Sequence, residues 1–221
     1  MDKIVIELQR EALKSDFDIM NLLRKAYLVA RKLKLQEFED WVNNELNGYK
    51  DADKIPDYRL LRGEIKAWNP SYGWIPVILQ NDNEDITTHL ANDSLANLLN
   101  VYENSENNNA ILQFNATINN YLSKCSNFNT KYALMIGTNQ IYSIIECVRN
   151  IILDWSITLE ENGILGDELR FSDTEKEIAN KYYKFSKALE IDYPITADIF
   201  YELGKSYDEE SLQQRMAAEN E

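Results

Sequence analysis

The chain has 221 residues, 44% of them apolar, with four Trp, seven Phe and thirteen Tyr. That is enough to bury the core of one domain with a short appendage, and far more aromatic than an unstructured chain carries. Seven Gly and four Pro argue against long loops and all-β designs, and a formal net charge of −14 repels a phosphate backbone unless the basic groups gather on one face.

Ile4, Leu8 and Ala12 lie at helical spacing, and Ser15-Asp16 breaks the stripe. A second helix carries Ile19, Leu22, Leu23, Ala26, Tyr27, Ala30 and Leu33, the three-and-four spacing of a face pressed on a core. Arg24, Lys25, Arg31, Lys32 and Lys34 crowd it. A third, with Phe38, Trp41, Val42 and Leu46, stops at Asn47-Gly48, because Gly accepts a positive φ cheaply. After a loop at 51–57, residues 58–68 alternate roughly by two, as a half-solvated strand does. Asn69 to Gly73 reads as a turn and Trp74 to Leu79 as a second strand, with Pro76 placing it at an edge.

Helix is expected to resume near Thr88, with Leu90, Leu95, Leu98, Leu99 and Tyr102 as its apolar set. A polar loop follows at 104–109, then a candidate strand over 110–114 and a short helix capped by Asn115. Tyr132 to Ile136 reads as a buried strand ending at Gly137. Thr138 is the expected cap of the strongest helix, in which Ile141, Ile144, Ile145, Val148, Ile151, Ile152, Trp155 and Leu159 recur over about six turns. Its seven-residue steps suit a partner helix inside the fold, more than a dimer seam. Ser172 and Glu175 form a capping-box pattern opening a helix to about Leu189, with Ile178, Tyr182, Phe185 and Leu189 inward. Pro194 interrupts before a short apolar segment, Ile195 to Leu203. The fold class that follows is mainly α within α+β: a multi-helix bundle with a small antiparallel β-hairpin or sheet. Residues 1–192 make the helical domain, and 193–221 a helical extension with a frayed acidic tail.

Chemistry is sparse. His89 is the only histidine, and an exposed or capping role suits it better than a base. Cys125 and Cys147 lack a CxxC spacing and read as ordinary free thiols of a cytoplasmic protein. The N-terminal residues lack a signal-peptide apolar run, and no stretch approaches the roughly 20 apolar residues that cross a bilayer. Cys/His zinc sites fail on ligand count, and no phosphate-cradling glycine loop occurs. No cofactor is therefore expected. Pro56-Asp57 with Glu64-Ile65-Lys66 matches the PD…ExK pattern of metal-dependent nucleases. One strand over 58–68 would hold the two carboxylates too far apart unless Gly63 bends it. Arg149, Asn150 and Asp154 on the apolar helix read as a structural hydrogen-bond set. Aromatics concentrate over 41–76, and aromatics beside Arg are what partner-binding surfaces favour. Trp41 and Trp68 suit the seam between hairpin and helices. The candidate partner contacts are Tyr58, Arg59, Tyr72 and Trp74, the last two best placed beside the turn.

Leu22 to Ala26, Ala30 to Leu33, Glu37 to Tyr49, Ile55 to Arg59, Lys66 to Pro70, Trp74 to Pro76, Val148 to Trp155 and Leu159 to Gly166 resemble, in order, the AbiTii family of bacterial abortive-infection proteins. The resemblance spans most of 1–190 and is least between Asp82 and Tyr132. It implies a setting in phage defence, where an infected cell stops growing or dies, and carries over no catalytic residue. The expected role is a protein-interaction or oligomerisation module that assembles or regulates an effector. Its partners would be other protein chains, either further copies or a defence-operon partner, with neither nucleic acid nor membrane. The alternatives are a nuclease effector using Asp57 and Glu64, and an acidic inhibitor of a basic toxin.

Overall fold

Three helices open the chain in the computed structural model, which describes residues 3–78, 84–167 and 170–181. They are α1 (Ile4–Ala12), α2 (Ile19–Leu33) and α3 (Gln36–Asn47). Asp18 caps α2, its carboxylate accepting from the amides of Met20 and Asn21 at 3.0 Å. α3 ends at Gly48, whose φ of +88° suits glycine; a Cβ there would stand 2.9 Å from the Asn92 carbonyl.

The middle of the chain builds the sheet: β1 (Leu60–Asn69), β2 (Gly73–Pro76), β3 (Thr88–Leu90), β4 (Asn109–Gln113) and β5 (Tyr132–Gly137), with α4 (Glu84–Thr87), α5 (Leu95–Asn104) and α6 (Ala116–Ser126) between them. All pairings are antiparallel, in the order β2-β1-β5-β4, with β3 also on β1. Trp68 donates its N–H to Lys131 at 2.8 Å and Val77 to Ile65 at 3.0 Å. Even residues of β1 therefore bond to β5, and odd ones to β2 and β3 on the opposite edge. Where β5 ends, the Gln140 side chain takes over the ladder, accepting from Arg62 N–H at 2.9 Å and donating to its carbonyl at 2.7 Å.

β5 runs straight into α7 (Thr138–Glu161), a 24-residue helix whose Ile141, Ile144, Ile145, Val148, Ile152 and Leu159 are buried. It packs on α1, α2 and α5, so its apolar repeat finds its partners inside the fold. Arg149 on α7 reaches the end of α1, donating to the carbonyls of Ala12 (2.5 Å) and Lys14 (3.0 Å) and lying 4.0 Å over the Phe17 ring. This satisfies carbonyls the helix end leaves open, a structural role as read; Asn150 and Asp154 are exposed. Ser172 and Glu175 exchange the two bonds of a capping box, and Glu175 also accepts from Leu165 and Gly166 at 3.2 Å.

The second strand, expected over Trp74 to Leu79, is Gly73–Pro76, with Leu79 outside the described residues, and three further expectations change. Thr88–Leu90 is a strand rather than the start of a helix, because pairing with Leu60–Arg62 overrides its helical spacing, and α5 begins only behind the Ser94 cap. The N-cap of α7 is Gly137, and Thr138 is a buried first-turn residue. The strand after the 51–57 loop starts at Leu60, since Asp57–Arg59 is a 3-10 turn. Tyr182, Phe185, Leu189 and the 193–221 extension lie outside the described residues. Among the described residues, no helix is long and apolar enough to cross a membrane.

Candidate interaction surface

Strand alternation divides the sheet into two faces. Leu61, Ile65 and Ala67 of β1 with Tyr132, Leu134 and Ile136 of β5 are buried in the core shared with the helices. The opposite face carries Leu60, Arg62, Glu64, Lys66 and Trp68 of β1, flanked by Trp74, Met135, Ile111 and Leu90. A water-facing side of an antiparallel sheet is ordinarily polar. Here Leu60, Leu90, Ile111 and Trp68 are all exposed large apolar groups.

At one end of this face, Trp68 and Trp74 sit opposite each other in the register and meet edge to face, centroids 5.3 Å apart. Together with Gln113 and Lys131 they line an open cleft of about 450 Å³. The hairpin turn places Tyr72 beyond them, 82% exposed. Asn69 fixes this turn, its side-chain oxygen accepting from the amides of Ser71 (2.9 Å) and Tyr72 (3.2 Å).

Behind the hairpin lies a buried polar network. Glu45 of α3 and Arg59 are both fully buried and form an ion pair through Glu45 Oε2 and Arg59 Nη2. Glu45 Oε1 accepts from Tyr58 (2.6 Å), Tyr49 (2.7 Å) and Arg59 Nε (3.1 Å). Arg59 Nη1 donates to the carbonyls of Ala91 and Asp93, each at 2.8 Å, and its guanidinium lies 4.8 Å over the Tyr49 ring. Trp41 Nε1 donates to the Tyr58 hydroxyl at 3.0 Å. Burial alone would lower the Arg59 pKa, but the Glu45 carboxylate raises it. The network ties α3, the 48–59 segment and the chain after β3 to one point. It is an anchor with every buried side-chain polar atom satisfied among the described residues.

Of the four contact candidates, Tyr72 is on the surface and Trp74 half-buried against Trp68; Tyr58 is half-buried with its hydroxyl on Glu45, and Arg59 is wholly enclosed. Trp41 is half-buried on α3 beside Phe38, its indole N–H on Tyr58, while Trp68, assigned to the seam between hairpin and helices by its sequence, stands 41% exposed on the open face. Glu45 was legible only as an acidic residue on the buried stripe of Phe38 and Val42. The exposure of Leu60, Leu90 and Ile111 had no local signal, because it follows from which face the helices cover.

Burial, and then the charge of Glu45, push the Tyr49 and Tyr58 phenols well above their ordinary range, so both stay hydroxyl donors. A group whose folded pKa is raised gives stability present below its unfolded pKa and lost as pH rises. Stability should therefore fall above about pH 10, by somewhat more than 1 kcal/mol per pH unit per tyrosine. Urea titrations from pH 9 to 11 (roughly the phenol range) check this: the slope should be shallower in Tyr49→Phe and Tyr58→Phe.

The remaining reactive types are dispersed. His89 is half-buried on β3, its pKa lowered by burial against a partial opposing effect of Asp93. Cys125 and Cys147 are free, and burial, with the Glu45 charge, pushes the Cys147 thiol up. β1 passes through Gly63 in continuous register, so the strand from Leu60 to Glu64 alone puts roughly 13 Å between the Asp57 turn and Glu64. Glu64 instead pairs with Lys66 at 2.7 Å, which holds its carboxyl below the ordinary range. Among the described residues no three His, Cys, Asp or Glu side chains are grouped to hold a metal ion.

A helical layer on one side of a five-stranded antiparallel sheet, with exposed aromatic and aliphatic groups on the other among the described residues, defines an α+β protein. The AbiTii family model matches residues 3–183, and the chain belongs to that family. Membership gives it a role in abortive infection, the anti-phage response of a bacterial cell. No curated protein and no solved structure matches the chain.

Proposed function

We propose that the chain acts in abortive infection as a docking module, holding another protein on the open sheet face and so assembling or regulating an effector. The observation that carries this is the Trp68–Trp74 pair, with Trp68 41% exposed, at one end of the sheet face opposite the buried core, while Leu60 and Leu90 are exposed at the other end of β1 beyond Arg62, Glu64 and Lys66. Exposed apolar surface of this kind marks contact sites, and Trp and Tyr dominate the energy of such contacts. Tyr72 extends it at the hairpin tip, and the Glu45–Arg59 anchor holds the chain behind it. The partner is another protein, encoded beside this chain or a further copy of it.

Co-expression with the products of adjacent genes, followed by affinity capture, tests the reading. The wild-type chain should retain one of these proteins. Trp68→Ala or Trp74→Ala should each weaken retention by about 30-fold, at roughly 2 kcal/mol for a central indole, and the pair by on the order of 1,000-fold. The same pair should abolish protection in a plaque assay without unfolding the chain. Full retention and protection by a folded double variant would reject the sheet face as the docking surface.

A further inference from the structure

The free edge of β4 differs from the opposite edge of the sheet. That opposite edge is made of short pieces, β2 ending in Pro76 and the three-residue β3, which are devices that discourage edge pairing. β4 is five residues, Asn109-Ala110-Ile111-Leu112-Gln113, with no Pro, Gly or charge. Among the described residues it is the last strand in the order and pairs with β5 alone.

Its bonding parity follows from the ladder. Trp68 bonds to Lys131, so Ala133 and Met135 of β5 bond to β1, and Leu134 and Ile136 bond to Leu112 and Ala110 of β4. Asn109, Ile111 and Gln113 therefore turn their N–H and C=O groups to the open edge. The Ile111 side chain stands on the exposed face of the sheet, 48% accessible.

Charge selects the occupant. A chain of net charge −14 repels its own copies over most of its surface. Between Glu103 and Lys124, however, Glu106 is the only charged residue, so the β4 segment itself brings little like charge to such a pairing. We propose that two copies associate by antiparallel pairing of their β4 edges, with the two-fold axis at Ile111. The parity fits this symmetry. Ile111 meets Ile111 of the second copy as a hydrogen-bonded pair, and Asn109 meets Gln113 on either side, each pair exchanging two backbone bonds. The result is one continuous sheet with both open faces on the same side, doubling the docking surface. The inference deepens the assembly half of the proposed function, and the Trp68–Trp74 site is separate from it.

Sedimentation velocity of the full chain, with Ile111→Lys, Ile111→Glu and their equimolar mixture, tests it. The wild type should sediment as a dimer at about 100 μM, a concentration at which even weak pairs form. Each single variant should be monomeric there, its dimerisation weakened at least about tenfold, since the axis sets like charges face to face. The mixture should recover a dimer, because Lys then faces Glu. Circular dichroism should show all variants folded. A monomeric wild type, or an Ile111→Lys chain that still dimerises as the wild type does, would overturn the β4 pairing. Capture by Trp68 and Trp74 is read separately, so loss of the dimer with capture intact leaves the docking reading standing, and the converse leaves the dimer standing.

Discussion

Arg59→Met is expected to cost about 3–5 kcal/mol of folding stability, the range for breaking a buried ion pair from one side. The guanidinium serves four acceptors: both oxygens of Glu45 and the carbonyls of Ala91 and Asp93. Met fills part of the volume and donates to none of them. The Glu45 carboxylate would keep only the Tyr49 and Tyr58 hydroxyls, and two carbonyls would lose their donor. Glu45→Gln should cost less, because the amide oxygen still accepts from both tyrosines, although the buried guanidinium loses its counter-charge. Removing both charges, in Glu45→Gln with Arg59→Met, should be milder than the sum of the two single changes, since neither charge is then left alone. Urea unfolding of the four chains measures this. A loss under about 1 kcal/mol for Arg59→Met would show that the pair is not the anchor, because that is the size of an exposed ion pair.

The anchor also bears on the docking role proposed above. Glu45 belongs to α3, Arg59 precedes β1, and the Ala91 and Asp93 carbonyls follow β3. One ion pair therefore fixes the start of the strand whose far end carries Trp68. A variant that loosens it should weaken partner capture without altering any residue of the open face, an indirect effect that thermal melts would separate from loss of contact.

The parts of this molecule that were legible in its sequence are those whose signal is local. α2 and α7 announce themselves because burial recurs every three or four residues along one segment, and β5 because five of its six residues are apolar and end at a glycine. β3 was not legible: Thr88-His89-Leu90 has no strand pattern of its own and is drawn into the sheet by Leu60–Arg62, far back in the chain. Arg59 misled for a related reason. Beside Tyr58 it looks like a surface pair, and only the fold brings Glu45 to it. Trp68 erred in the opposite sense, since alternation along β1 sets it on one face without telling which face the helices cover. Register is readable within a strand; the choice of inner face belongs to the whole core.

Gly63 supplies the second large effect. As part of a PD…ExK pattern it invites reading as a hinge, yet it lies in the middle of β1, opposite Ile136. A Cβ there would stand 2.7 Å from Leu134 Cγ and 2.7 Å from the Met135 carbonyl oxygen, nearer than side-chain carbons approach either. The residue is needed for close packing of β1 on β5. Gly63→Ala should therefore destabilise by about 1–3 kcal/mol, as overpacking does, and Leu134→Ala, which empties a fully buried site, by about 2–5 kcal/mol. The double variant should cost about 1 kcal/mol less than the sum, because losing the leucine removes one of the two obstacles and the new methyl fills part of the space. The Met135 carbonyl belongs to the backbone and stays, so the rescue is partial. Strict additivity in urea midpoints would place the whole clash on that carbonyl; a Gly63→Ala chain as stable as the wild type would mean that β1 has slack at this point.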